Sequence, residues 1–271
     1  MIVSLKIMAI IPARMGSSRF AGKPLTNILG LPMIEHVYRR VAMCRSVRSV
    51  HVATCDREIY ECVRGFGGEA IMTSPVHPTA SDRVAEATQG ISADIVVMVQ
   101  GDEPMVVPEM IDRAVAAMVS NPDIGCVNLA KRITDETEFL DPNTIKLVMD
   151  REANALMFSR EPIPTHRLVR FGDIPLFKQV CIIPFRRQLL LQYARLERGA
   201  AERAESVDML RLLENGYKVS IVETEFDTHA VDTPEDLLAV EEKMRQDPLT
   251  RQYVPQRFAG TVQGKLSGLA S

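Results

Sequence analysis

The feature that most restricts the fold is a rhythm. Short runs rich in valine and isoleucine, at residues 7–11, 50–54, 69–73, 94–100 and 124–130, alternate with amphipathic stretches at 32–44, 56–66, 81–89 and 108–119. Runs with so little polar content suit strands buried on both faces. Within 32–44, Ile34, Val37 and Val41 fall on one face of a helix, as a covering element requires. Strand–helix alternation of this kind predicts a mostly parallel sheet flanked by helices, with right-handed crossovers. Ligands on such sheets bind beyond the carboxyl ends of the strands. At 271 residues and 46% hydrophobic composition, the chain can bury the core of one large domain.

From about residue 131 the rhythm changes. The polar segment KRITDETEFLDPNT is followed by strand-like runs at 144–150, 155–159 and 177–185, arranged around the proline-rich loop REPIPTHR. This reads as an insertion of antiparallel strands, a kind of extension that commonly makes dimer contacts. The first pattern returns with a helix near 206–214, a strand at 218–224 and a helix from Thr233. Residues 246–271 are polar and aperiodic, so a partly ordered tail is expected there.

A net charge of −3 and a pI near 6.0 argue against a nucleic-acid partner, so clustered basic residues should serve a small anion. The opening apolar run is too short to span a bilayer and lacks a small-residue cleavage site, which predicts a first buried strand and no membrane association. Five scattered cysteines without a C-x-x-C pair suggest reduced thiols and a cytoplasmic location. The histidines form no Ser/His/Asp pattern and read as structural or surface groups, with His166 held open because of its loop.

The stretch IPARMGSSRFAGKPL, residues 11–25, follows the first apolar run and concentrates glycine, arginine and lysine. Such a loop can bring backbone N–H groups and cations to a phosphate. It is not a Walker loop: five residues separate Gly16 from Gly22, and Pro24 follows Lys23. Carboxylates stand at two other strand ends. In DIVVMVQGDEP, Asp102 follows a buried strand, where it can hold Mg²⁺ or simply cap the next turn. In AVDTPEDLL, Thr233, Pro234 and Asp236 form a helix start of capping-box type, and Asp232 precedes it. Asp232 can bond its own backbone or serve another purpose.

Taken together, the opening loop, MTSPVHPTASDR at 72–83, VQGDEP at 99–104, MFSREPIP at 157–164 and VDTPEDL at 231–237 resemble, in order and spacing, the CMP-Kdo synthetases, the 3-deoxy-manno-octulosonate cytidylyltransferases. The likeness covers about residues 7–245. It implies a glycosyltransferase-A-like α/β fold of the nucleotide-diphospho-sugar transferase type, with a small antiparallel dimerisation insertion. It also implies a CTP-dependent cytidylyltransferase that uses Mg²⁺ and releases pyrophosphate; the homodimer is expected from the insertion itself, whose apolar strands at 144–185 exceed what a two-stranded flap can cover. On that basis residues 1–245 form one domain, with the nucleotide-binding part at about 1–130 and 205–245 and the acceptor insertion at about 144–187. By resemblance, Pro12, Ala13, Arg14, Arg19, Lys23, Ser74, Asp82, Arg83 and Gln100 bind nucleotide. Arg14, Lys23, Asp102 and Asp232 are the catalytic set, with Asp102 and Asp232 as metal ligands. Arg160, Gln179, Asp208 and Met209 match acceptor positions.

Three of those acceptor positions depart from the family. Gln179 stands for a histidine, while Asp208 and Met209 stand for a Glu-Gln pair. A buried hydroxyl that loses its partner is destabilised by about 1–3 kcal/mol, enough to change acceptor choice by tens of fold. The expectation is therefore CMP transfer to Kdo or a Kdo-like acid, with Kdo as a secondary substrate. An amino-substituted sugar acid or a phosphonate is the alternative acceptor. A catalytically silent nucleotide-binding protein is the reading from another class, and retention of both aspartates speaks against it.

Overall fold

A computed structural model describes residues 5–16, 20–165, 167–168 and 170–254 of the chain. Strands β1 (Ile7–Ala13), β2 (Asn27–Ile28) and β3 (Leu31–Pro32) lead into helix α1 (Met33–Val41), then β4 (Ser49–Thr54), α2 (Arg57–Gly65), β5 (Glu69–Met72), α3 (Ala80–Gln89), β6 (Ile95–Val99) and α4 (Pro108–Ser120). Here the expected parallel sheet is found: β1 lies between β4 and β6, and β5 pairs with β4, all in parallel.

Its central strands are buried on both faces. Along β1, Ala9 and Ile11 enter one apolar cluster and Ile10 the other; along β6, Val97 and Val99 oppose Val96 and Met98. Ile34 and Val37 of α1 and Ile111 of α4 cover the first face, and Val84 of α3 covers the second. Each such buried side chain contributes about 1.5–3 kcal/mol, so a charge at Val97 would break this layer.

The chain continues through β7 (Val127–Arg132), α5 (Glu136–Leu140), β8 (Lys146–Met149), β9 (Ala155–Ser159), β10 (Phe177–Val180), β11 (Ile182–Arg186), α6 (Arg187–Tyr193), α7 (Ala200–Glu205), α8 (Met209–Glu214), β12 (Ser220–Thr224) and α9 (Pro234–Gln246). Two expectations change here. The run at 124–130 does not extend the parallel sheet; β7 belongs to a second, mixed sheet of order β12-β7-β10-β8-β9. Asn128, fully buried in β7, gives the reason: its amide donates to the Val180 carbonyl and its Oδ1 accepts from Gln179, partners that β10 supplies. The run at 177–185 divides at Cys181. β10 pairs with β7 and β8, whereas β11 crosses to the first sheet and runs antiparallel to β6 at its edge. An edge position tolerates Pro184, which has no N–H to donate.

At the C-terminal side α9 opens with the expected capping box, Thr233 Oγ1 accepting from Asp236 N at 3.1 Å and Asp236 Oδ2 from Thr233 N at 2.8 Å. Packing runs on past residue 245. Tyr253 Oη lies 3.0 Å from His36 Nδ1 and accepts from Arg40 Nε at 3.1 Å, while Val254 is buried. Burial holds the His36 imidazole down to about 4. Residues 255–271 of the expected tail lie outside the described residues. Among the described residues no helix is long and apolar enough to cross a membrane.

Candidate active site

The site is built where β1 and β6 end side by side. Gly101 leaves β6 so close to β1 that a Cβ there would stand 2.8 Å from the Pro12 carbonyl oxygen, hence a glycine. Asp102 comes next, and its carbonyl accepts from Val231 N at 2.9 Å. That backbone bond draws residue 232 to residue 102 across nearly half of the sequence. Asp232 N is in turn held by Asp236 Oδ2 at 3.0 Å, so the capping box of α9 also orients the aspartate before it.

Lys23 arrives from the opening loop. Gly22 takes a left-handed φ of 72° and donates its N–H to Met15 O at 3.2 Å, closing the loop so that Lys23 enters a short helical turn. Its Nζ lies 2.8 Å from Asp102 Oδ2 and 3.1 Å from Asp232 Oδ1. Burial pushes the ammonium down, but the two carboxylates outweigh burial and hold it above its ordinary value.

These groups form the charged end of a cleft of about 310 Å³, together with Arg14. His77, Pro78, Thr79, Ala80, Arg83 and Gln100 also wall it, and Pro12 and Ala13 line it. The cleft thus offers cations and carboxylates to a polyphosphate, and a wall with one arginine and the Glu86-paired His77 to a nucleoside. Arg83 is oriented by bonds to Thr73 Oγ1 at 2.6 Å and to the Ser74 carbonyl at 3.3 Å.

The expected residues divide. Pro12, Ala13, Arg14, Lys23, Arg83, Gln100, Asp102 and Asp232 meet in this cleft. Ser74 stands behind Arg83, its N–H bonded to Glu86 at 2.9 Å. Asp82 does not face the cleft: it accepts two bonds from Arg211, at 2.7 and 3.1 Å, in a buried cluster with Glu202. In this arrangement Asp82 holds the first turn of α3 from behind, and Thr79 Oγ1, at the cleft, donates to it at 2.7 Å. Arg19 and His166 lie outside the described residues.

Of the acceptor set, Arg160 donates to the carbonyls of Glu205 at 2.8 Å and Pro142 at 3.0 Å. Gln179 donates to Asn128 at 2.7 Å, and Asp208 accepts from Ser81 N at 3.1 Å with its carboxyl pushed up by burial. Met209 is fully buried in the second apolar cluster, 3.9 Å from Cys126 Sγ. In this arrangement its sulfur is packed in that core and does not reach the surface.

Sequence reasoning missed His77, Pro78, Thr79 and Ala80 as cleft residues. Thr79 was within reach, since a threonine three residues before Asp82 signals a helix start where anions bind. The pairing of His77 Nε2 with Glu86 carries no local signal. Glu103 was also missed: burial, then the charge of Asp102, pushes its carboxyl up to about 8, and one oxygen is buried without a partner among the described residues.

Residues 8–223 match the cytidylyltransferase family. A 3-deoxy-manno-octulosonate cytidylyltransferase of Geobacter metallireducens is 46% identical over 249 residues, covering 89% of this chain and 98% of that protein. One of Geobacter sulfurreducens is 44% identical, covering 89% and 100%. The solved structure of CMP:2-keto-3-deoxy-manno-octonic acid synthetase complexed with CTP matches with a TM-score of 0.83 at 39% identity, covering 89% of this chain and 99% of that one. A cytidylyltransferase from Leptospira borgpetersenii, at 18% identity and a TM-score of 0.61, shares the fold.

Proposed function

Because the chain belongs to the cytidylyltransferase family, among the 3-deoxy-manno-octulosonate cytidylyltransferases, we propose that it transfers CMP from CTP to 3-deoxy-manno-octulosonate (Kdo), releasing pyrophosphate. The observation that carries this reading is the meeting of Asp102, Asp232 and Lys23 at the charged end of the cleft. The Kdo hydroxyl attacks the α-phosphorus, a new P–O bond forms and the bond to the β-phosphate breaks. A displacement of this kind needs positioning and charge stabilisation rather than a side-chain nucleophile.

Arg14 and Lys23 hold the triphosphate, the arginine as a fork and the lysine as a point charge. The N-terminus of α3, behind Thr79 and Ala80, adds partial positive charge to the same wall. Arg83 and Gln100 face the nucleoside. Asp102 and Asp232 would hold Mg²⁺. Their oxygens already share one cation position, filled by the lysine ammonium, and two carboxylates suit an ion that takes its other ligands from phosphate and water. Among the described residues no third His, Cys, Asp or Glu joins them. Bound there, Mg²⁺ would absorb charge on the phosphate oxygens and orient them.

The expectation that Kdo is a secondary substrate loses its footing. Met209 packs in the core, Gln179 Nε2 is engaged by Asn128 and Asp208 Oδ2 by the backbone of Ser81, so each of the three has a partner or packing role within the fold. A homodimer and a cytoplasmic location belong to the same proposal. In their support, β9 is the edge of the second sheet and presents Leu156 with 61% exposure, and all five cysteines are free thiols. Pyrophosphate release from CTP and Mg²⁺ tests the activity against Kdo, an amino-substituted analogue and small phosphonates. Turnover of Kdo with kcat/KM of about 10⁴ M⁻¹s⁻¹ or above is expected. Preference for another acid, or no release with any of them, would overturn the assignment.

A further inference from the structure

We propose that Lys23 is the resident counter-cation of the Asp102/Asp232 pair, so that a divalent metal takes its place at the carboxylates only when a nucleoside triphosphate draws the lysine away. The inference rests on the reading that these two aspartates are the metal ligands. Lys23 Nζ touches one oxygen of each carboxylate, at 2.8 and 3.1 Å, and bonds no other anion among the described residues. The contact is sheltered, the lysine side chain being 11% exposed.

An ammonium and a divalent cation cannot occupy one position a few ångströms from the same oxygens, since like charges at that separation repel strongly. A metal arriving alone must therefore expel Lys23 toward solvent or toward Arg14, which is unfavourable for a cation. A triphosphate changes the balance by giving the ammonium new anionic partners within the same cleft. Metal and nucleotide binding are then coupled through one side chain, and by linkage each raises the affinity of the other equally. The backbone suits this exchange: the lysine follows a left-handed glycine and opens a three-residue turn, so its stem swings from a fixed root.

The test is Mn²⁺ binding to nucleotide-free protein, followed by electron paramagnetic resonance, with fold checked by circular dichroism. Lys23→Met should bind Mn²⁺ tighter than wild type by about 5- to 150-fold, the usual span of coupling between sites. Arg14→Met, which removes an equal charge from a residue that bonds neither carboxylate, should change it far less. The double variant Lys23→Met/Asp232→Asn should lose the gain. With a methylene-bridged CTP analogue present, wild type should bind Mn²⁺ tightly, and Asp102→Asn or Asp232→Asn should abolish that binding.

Equal Mn²⁺ affinity in wild type and Lys23→Met, with the aspartate variants still defective, would overturn the lysine's role and leave the metal ligands standing. Undiminished binding in both aspartate variants would overturn the metal-site reading itself. Should Lys23→Met fail to fold, wild type alone decides: tight Mn²⁺ binding without nucleotide contradicts the proposal, and binding that needs the analogue supports it.

Discussion

At the charged end of the cleft, Lys23, Asp102 and Asp232 come from three distant loops and contact one another through side chains. In the arm around β8, β9 and β10, the two basic side chains of Lys146 and Arg160 bond backbone carbonyls instead. Lys146, fully buried, donates to the carbonyls of Asp141 at 2.8 Å and Thr144 at 2.7 Å and also to that of Arg160, while Arg160 donates to two further carbonyls. The difference is one of exchangeability. A phosphate or metal can replace an ion-pair partner in the cleft with little change in the number of charge contacts. Releasing Lys146 would leave its buried ammonium without partners, unfavourable by more than the about 1–3 kcal/mol of a neutral buried group. The nucleotide end is thus ready to change partners, and the arm is ready to keep its shape.

The largest effect should follow from the cleft aspartates. Asp102→Asn and Asp232→Asn are each expected to lower kcat by at least about a hundredfold while the circular dichroism spectrum is retained. Near-normal turnover of Asp232→Asn at saturating Mg²⁺ would break the contrast, because the floor would then be structural like the arm. Next comes Lys23→Ala, expected to weaken CTP binding by tenfold or more, roughly one strong charge contact, and CMP binding much less. Calorimetry that found equal losses for both nucleotides would remove the triphosphate role.

The frame behind the cleft should respond through pH. The folded His36 is held to about 4 against an ordinary 6.5, so the unfolded chain takes up a proton first as pH falls. Stability is then fully present above about pH 6.5 and is lost between there and about 4, by about 3 kcal/mol. Melting temperatures of wild type and His36→Gln should converge over that interval; a constant gap would mean that His36 does not titrate this way. The smallest effect is expected in the arm's neighbourhood. Met209→Leu should leave KM for the acceptor within about twofold, as a volume-conserving core change does. A Met209→Gln variant that lowered that KM tenfold would instead place residue 209 in the acceptor subsite.

How much of this was legible follows from the kind of interaction involved. The strands β1, β4 and β6 were readable because burial on both faces leaves an apolar run, and the start of α9 because Thr233 and Asp236 satisfy each other locally. What stayed hidden depends on partners far away in sequence. Nothing near Asn128 announces that β7 joins β10, and nothing near Asp82 announces Arg211. The packing of 247–254 was hidden for a related reason: its anchors, Asp247, Thr250 and Tyr253, are polar and bond to the buried Arg40, so no apolar periodicity marks them. The charged end of the cleft was assembled from resemblance alone, since among the described residues three loops meet there through a backbone bond and the ion pairs of Lys23.

A crystal structure with Mn²⁺ and a methylene-bridged CTP analogue tests the central claim most directly, because the anomalous signal locates the metal without ambiguity. The expected result is a metal peak within about 2.0–2.3 Å of carboxylate oxygens of both Asp102 and Asp232, with the triphosphate at Arg14 and Lys23 moved onto a phosphate. A metal bound elsewhere, with Lys23 still bridging the two aspartates over a bound nucleotide, would contradict it.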